Sequence, residues 1–589
     1  MTRRAAGWVV SALLLALGNV ASAWAAPLPP LFRVNVPYFA DRVHYEQTGI
    51  FWFGRVNSTE NYADARVGYD DRELYVNVSI FDRWLRYDPA PAPDDLTNWD
   101  AVSLYLDMNG NTGQLPDLST FRLDGQLTWW EDRGTSWQAA YCGNGSGWLS
   151  VTVPFTTTVD WWGNAPNHDD EDDRGWAIWF HIPFKSLGLS GPPPQGTLWG
   201  LGVAVHDRDD AAGTPIADKV WPEGMFSDRP ATWGQLVFGL SAYAPQAAAP
   251  MGTVTIRHNL NGAVVPDAAV GGTVGNMCPG DSDYIWNQWA DFQDPHGMQV
   301  NIHGLGIIYD WPCVSRYYIT FPLNAVPTGK VIISATLTLH QFGSAGVGWT
   351  PPPQPSWIQV LTVEQDWDEN TLTWNNAPRA RENISGSWVP VLPDYAGDPG
   401  IPRTWDVSRA VAEAYRAGEP LRLTMYPSDW ELNGGKYFWS SDHDENPAEA
   451  RPTLTVVWGD PAATVRKTVW PLTPSSSQQV TYTLSLLGSG HELTLIDDLP
   501  AEVSSPGPIG LVGGGGVTYD WATHRLTWTG APTVGQPVTL TFPITLVASG
   551  PQAVRNTAAL ADSTGNMSTD TATLIVDARQ VWLPLMLHE

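Results

Sequence analysis

Trp367-Asp368-Glu369-Asn370-Thr371-Leu372-Thr373-Trp374-Asn375-Asn376-Ala377-Pro378 is the stretch on which the reading of this chain turns. Two tryptophans flank a Thr-Leu-Thr run. Asn375-Asn376-Ala377-Pro378 is turn chemistry, because Asn tolerates the left-handed region and Pro fixes the exit. The expectation is a tight turn that Trp367 and Trp374 wedge against a β-sandwich. Downstream stand Tyr437-Phe438-Trp439-Ser440-Ser441 and Arg451-Pro452-Thr453-Leu454, where Arg451 is expected to pair with an internal acid such as Asp406. Between them only residues 408–417 carry helical spacing, through Val411, Ala414 and Tyr415.

The rest of the composition agrees with an all-β chain. Its 589 residues include 32 Trp, as many as Lys and Arg together, punctuated by 55 Gly and 49 Pro, which favours short strands and many turns. The net charge of −29 argues against nucleic acid or an anionic membrane as partner and suits neutral polysaccharide, Ca²⁺ or plain solubility. Arg3 and Arg4 before an apolar run from Trp8 to Leu17, with Ala21-Ser22-Ala23-Trp24-Ala25 behind it, read as a signal peptide over residues 1–25. A secreted or cell-surface location follows, without membrane insertion, since no stretch approaches about 18 uninterrupted apolar residues. Of the three cysteines, Cys278 and Cys313 would bridge and leave Cys142 over; three unpaired thiols is the equal alternative.

The Pro-containing segments 242–250 and 459–463 lack strand alternation and read as linkers. They bound three all-β domains at 27–243, 250–460 and 464–578, with an apolar tail at 579–589. In the first, Leu74, Val76, Val78 and Ile80 alternate with Tyr75, Asn77, Ser79 and Phe81, the period of a half-buried strand. Val102, Leu104 and Leu106, then Ile178, Phe180 and Ile182, then Leu201, Val203 and Val205 repeat it.

Three resemblances sharpen this picture. The opening motif, with Arg316-Tyr317-Tyr318-Ile319-Thr320-Phe321 and Ile333 to Leu339, resembles the DNRLRE domain found beside polysaccharide-active enzymes. The order Leu74-Tyr75-Val76, Phe81-Asp82, Trp99-Asp100-Ala101-Val102, Leu106-Asp107-Met108-Asn109, Ile182-Pro183-Phe184, His206-Asp207-Arg208-Asp209 and Trp233-Gly234 resembles carbohydrate-binding module family 9. Val480 to Leu486, Asp497-Asp498-Leu499-Pro500 and Val554-Arg555-Asn556-Thr557 resemble an immunoglobulin-like surface repeat, domain of unknown function eleven. The resemblances imply three tandem β-sandwiches after the signal peptide, two jelly-roll-like and one immunoglobulin-like.

The family 9 likeness implies a sugar ring stacked on indoles and hydrogen-bonded at its rim. Arg122 stands at the family's arginine, but the acid expected after Asp100 is Ser103 and the amide expected before His206 is Ala204. Trp99 lies two positions from the first sandwich tryptophan, and Phe226 is the aromatic nearest the second. Trp84, Trp129, Trp130 and Trp221 offer other platforms; core packing is the competing role for all of them. Asp107, Asn109 and Asn111 alternate around Gly110 as oxygen ligands for a structural Ca²⁺ would. In the surface repeat, some relatives join a Lys to an Asn with help from an acid, and Lys467, Asn556 and Asp498 are the matching positions.

No metalloprotease, nucleophile-elbow or phosphate-loop motif is present. The expectation is an exported, non-catalytic protein that binds polysaccharide, neutral rather than acidic, through its first two domains, with a third domain that serves cell-surface attachment. The alternatives are a structural surface or matrix protein without a sugar site, and a polysaccharide-degrading enzyme or its accessory subunit.

Overall fold

The structure, a computed structural model of the chain, describes residues 32–577 apart from 111–112, 129–136, 169–171, 241, 246, 273–281, 305–312, 430–432, 445–446, 534–535, 549, 564 and 566. The expected signal peptide and tail, and Asn111, Trp129, Trp130 and Cys278, therefore lie outside the described residues. No described helix is long and apolar enough to cross a membrane. Cys313 is disulfide-bonded and Cys142 carries a free thiol.

The alternation read from the sequence builds the first sandwich. Leu74, Val76, Val78 and Ile80 lie on the strand Glu73–Phe81 and are fully buried in one core with Ile178 and Phe180 of the neighbouring strand and Val102, Leu104, Leu106, Leu201 and Val203 of the facing sheet. One sheet runs Gly49–Asn57, Glu60–Tyr69, Glu73–Phe81, Gly175–Pro183, Thr156–Trp162 in spatial order. The other runs Arg33–Val36, Gly234–Phe238, Leu198–His206, Ala101–Asp107, Thr120–Gln126, Gln138–Gly143, Trp148–Val151. Glu73–Phe81 is not the half-buried strand expected, however: Asn77 and Phe81 on its other face are fully buried as well.

The second sandwich supplies that cover. Its sheet of Asp267–Gly271, Ser315–Phe321, Leu421–Pro427, Ser356–Val363 and Ala380–Val389 continues through Arg33↔Glu382 into the first sandwich, so that one 13-stranded sheet passes through both. Asn35 and Asn383 lock this seam. The Asn35 N–H donates to Asn383 Oδ1 at 2.7 Å and Asn383 Nδ2 donates to the Asn35 carbonyl at 2.9 Å. Behind the seam lies a shared apolar core in which Trp52, Tyr62 and Phe81 meet Trp286, Trp289, Trp374 and Tyr426. Each fully buried large apolar side chain contributes about 1.5–3 kcal/mol, which makes the two sandwiches one body.

The Trp367–Pro378 stretch makes this joint. Trp374 packs 5.2 Å from Tyr62, and Asn375 exchanges hydrogen bonds of 2.9 and 2.8 Å with the Val56 backbone, as a strand neighbour would. Asn376 closes the turn by accepting from the Thr373 N–H at 2.7 Å. The wedge expected against its own sandwich thus reaches into the neighbouring one. The helix forms at Ser408–Ala417, with Gly418 in the left-handed conformation as its cap. Asp406 accepts from the Ser408 N–H at its start, so Arg451 pairs with Asp444 instead of Asp406. The segments read as linkers also differ from expectation. Parts of both are strand, and they pair with each other through Ala247↔Pro461 and Pro250↔Gly459.

A third sandwich has its own core, with Tyr482, Leu484, Leu495, Trp528, Phe542 and Leu560 between a four-stranded and a five-stranded sheet.

Candidate functional site

On the outer face of the first sandwich, neighbouring strands bring a polar network together. Ser103 lies opposite Asp124, and Arg122 opposite Tyr141. Arg122 grips Asp124 with Nε at 2.9 Å and an Nη at 2.7 Å, and its guanidinium lies 4.9 Å from the centre of the Tyr141 ring. Ser103 Oγ donates to Asp124 at 2.6 Å and sits 2.9 Å from His206 Nε2, while His206 Nδ1 is 3.0 Å from Asp218. Asp124 thus places a carboxylate beside Ser103 across the strand pair.

Among the described residues, the expected aromatic platform does not assemble as a unit. Trp221 is a core residue, stacked on Phe51 at 4.0 Å, which corrects its reading as a sugar contact. Trp84 is half-buried beneath Arg83, and half-buried Trp99 lies against Gly213. Phe226 is exposed under Arg229.

Asp107 and Asn109 fall in a tight turn. Asp107 Oδ1 accepts from the Asn109 N–H at 2.9 Å, and Asn109 Nδ2 donates to Ser119 Oγ at 2.6 Å. The set better suited to a cation is Asp82, Asp207 and Asp209, gathered from the ends of two strands with ligand atoms within 4.8 Å of one another. Asp82 and Asp207 are fully buried, and Asp82 Oδ2 and both Asp207 oxygens accept no hydrogen bond. Burial raises their pKa, that of Asp207 to about 7 and that of Asp209 to about 6, and neighbouring carboxylates add to the effect. A second set, His296, Glu369 and Asp442, lies at the surface, and Glu369 is engaged by the Asp267 N–H at 2.9 Å.

In the third sandwich Lys467 is buried beside Asp497, Nζ to Oδ2 2.5 Å. Asp498 points outward to Arg525, 2.6 Å away, so the acid beside Lys467 is Asp497 and the sequence reading was one residue off. Burial lowers the Lys467 amine to about 8 and raises Asp497, and Asn556 is close enough to bear on the acidity of Asp497. The Asn556 amide is buried, and neither of its polar atoms has a hydrogen-bond partner.

Sequence reasoning missed a row of rings on the second sandwich. Trp439 stacks between Phe342 at 3.9 Å and His443 at 4.0 Å, with planes within 17° and 5° of parallel. Tyr395 continues the row 6.2 Å from Phe342, at 22°, and is 68% exposed. Gly343 permits this, since a Cβ there would meet Tyr395 at 2.7 Å and Tyr437 at 2.9 Å. The outermost ring presents a free face, and the rings behind it fix its angle.

Residues 303–456 match the model of carbohydrate-binding module family 96. The row lies inside the matched residues. No curated protein matches the chain. Among solved structures, a family 9 carbohydrate-binding module from Caldicellulosiruptor kristjanssonii, in complex with cellotriose, is 18% identical; the alignment covers 37% of this chain and 99% of that one, with a TM-score of 0.26. A putative carbohydrate-binding protein from Bacteroides uniformis is 11% identical over 35% of this chain and 99% of its own, TM-score 0.28. The collagen-binding subdomain of the Enterococcus faecalis surface protein ACE is 9% identical over 19% and 94%, TM-score 0.16. Phe342 and Tyr395 lie too far from Trp439 and His443 in sequence for any local pattern to have joined them. Only the aromatic run 437–439 hinted at a surface of this kind.

Proposed function

We propose that this chain is an exported carbohydrate-binding protein that recognises a neutral extracellular polysaccharide, with its third sandwich as the stalk that serves surface attachment. The observation that carries the reading is that the family 96 match and the exposed end of the aromatic row coincide. A pyranose has an apolar C–H face that stacks on an aromatic ring and a rim of hydroxyls that amides and charged groups bind. Tyr395 offers the first, and the Arg122–Asp124 pair on the first sandwich offers a second, polar face. Retention of the intact chain on insoluble neutral polysaccharides is expected, about tenfold weaker in Tyr395→Ala, as loss of a stacked ring of about 1.5 kcal/mol implies. Equal retention by wild type and variant would remove Tyr395 from the site. Absence of retention on every glycan would leave a structural surface protein as the better account, and release of soluble product would favour an enzyme.

Asp82, Asp207 and Asp209 fit Ca²⁺, which takes oxygen ligands and would satisfy the orphan carboxylate atoms. In this proposal the ion ties the ends of two strands, as a structural cofactor. At a Ca²⁺ concentration a hundredfold above Kd, about 2.7 kcal/mol of linkage at roughly 2–4 °C per kcal/mol raises Tm by about 5–10 °C. The chelator-treated protein is expected to melt lower by that amount, and Asp207→Asn to abolish the difference. A melting curve indifferent to Ca²⁺ in the wild type would exclude the site.

A further inference from the structure

Where the two sandwiches meet, next to the Asn35–Asn383 seam, there is a cavity of about 240 Å³. The first sandwich contributes Tyr38 and Gln47 to its wall, and the second contributes Trp357, Gln359, Asn383 and Ser385. No acidic or basic side chain lines it, in a chain whose net charge is −29. We infer that this junction cavity is a subsite for one neutral sugar ring, formed only because the two sandwiches are joined. The inference rests on the carbohydrate-binding reading above and adds a second place on the molecule, with its own chemistry.

The wall has the two kinds of surface a pyranose needs. Trp357 and Gln359 lie on one face of the strand Ser356–Val363, because side chains alternate along it, while Ile358 and Val360 point into the core. The Trp357 indole lies against bare backbone: a Cβ on Gly386 would come within 2.4 Å of its Nε1. Trp388 meets it edge-on at 5.6 Å, so the ring is braced from two directions. On the first sandwich's side of the wall stands Tyr38, 45% exposed and held by a 2.6 Å hydrogen bond from its hydroxyl to Asp71.

The polar part is equally fixed. Gln359 Nε2 donates to the Thr48 carbonyl at 2.7 Å and to Ser428 Oγ at 3.0 Å, and Asn383 is clamped by Asn35. Ser385 Oγ is buried at the wall without a hydrogen-bond partner. Amides and hydroxyls held this way hydrogen-bond sugar hydroxyls without charge, and a uronic acid would bury its carboxylate there with no cation to meet it. The volume is just under the roughly 300–1,000 Å³ of pockets that enclose drug-sized ligands, which points to a single ring, such as a chain end, rather than the middle of a long chain.

The test is calorimetric titration of the intact chain with glucose, galactose, mannose, xylose and glucuronic acid. At least one neutral sugar is expected to bind and glucuronic acid to fail. Trp357→Ala and Gly386→Ala, the second of which displaces the indole and leaves the polar wall intact, are each expected to weaken that binding about tenfold or more. Circular dichroism and the melting temperature of both variants establish that they are folded, and Tyr38→Ala, at an exposed position, provides a third reading. Wild-type affinity in folded Trp357→Ala and Gly386→Ala would overturn the subsite, as would the absence of binding by any neutral sugar at millimolar concentration. Tyr395→Ala, assayed in parallel for retention on insoluble glycan, tells the two places apart. Retention that depends on Tyr395 beside soluble binding that ignores Trp357 refutes the junction subsite and leaves the broader function standing.

Discussion

Asp64→Ala is expected to cost about 3–5 kcal/mol, the range for removing one partner from a buried charge network, and to unfold both joined sandwiches together. Asp64 is fully buried at their shared core. Its carboxylate accepts from the Tyr62 hydroxyl of the first sandwich and, at 2.7 Å, from the Tyr426 hydroxyl of the second. Arg66 lies 3.7 Å away and reaches the Ser428 carbonyl of the second sandwich at 2.9 Å. Arg316, also fully buried, is caged by Trp374 at 3.7 Å and Trp52 at 4.4 Å. Deleting one carboxylate therefore strands two hydroxyl groups and leaves two guanidinium groups without the negative charge between them. Urea titration followed by tryptophan fluorescence is expected to show one shared transition for the first two sandwiches, apart from that of the third sandwich with its own core, moved to lower urea in the variant, with Asp64→Asn in between because an amide still accepts hydrogen bonds. Separate transitions for the first and second sandwiches in the wild type, or a loss below about 1 kcal/mol, the scale of an exposed ion pair, would mean that these two are independent. By the same reasoning, residues 27–243 produced alone would expose Trp52, Tyr62 and Phe81 and are expected to aggregate.

What the sequence made legible was local, and what it hid was contact between distant segments. The period-two alternation at Leu74, Val76, Val78 and Ile80 locates a strand and its inner face, because side-chain parity is a property of the strand itself. The same alternation says nothing about what covers the outer face, and a second sandwich does. The tryptophans of the 367–378 stretch are recognisable as packing residues, but their partners Tyr62 and Val56 lie some 300 positions upstream. In the first sandwich, Arg122 and Asp124 stand two apart on one strand and could be read together, but that Asp124 lies opposite Ser103 was not legible, since a cross-strand pair is fixed by register. Trp221 was misread for the related reason that an indole in a short segment after a loop looks like a surface platform until its stacking on Phe51 is seen. In the third sandwich the error was one residue, and in a strand one residue is the whole difference between core and solvent.

That single residue decides the last prediction. Leu493, Leu495 and Asp497 continue one inward parity along Leu493–Asp498, which leaves Asp498 outside with Arg525. We propose that Lys467 and Asn556 become joined by an amide bond with Asp497 as the proton carrier. Burial favours the uncharged forms of both Lys467 and Asp497. The neutral amine attacks Asn556 Cγ while the protonated Asp497 polarises the side-chain carbonyl; the C–N bond to the amide nitrogen breaks, and the nitrogen leaves as ammonia with the proton that Asp497 relays. The intact protein is expected to weigh less than its sequence by one ammonia, and a branched peptide linking residues 467 and 556 to survive denaturation. Lys467→Ala and Asp497→Ala are expected at full mass, whereas Asp498→Ala keeps the deficit and so separates the inward acid from the outward one. By the chain-entropy argument for cross-links, closing a loop of this length is worth about 4–5 kcal/mol, so the two uncrosslinked variants should melt well below the wild type. Full mass in the wild type would show that no bond forms. Without that bond, a buried amine and an unpartnered amide in the core would cost the third sandwich stability and give it no gain as a stalk.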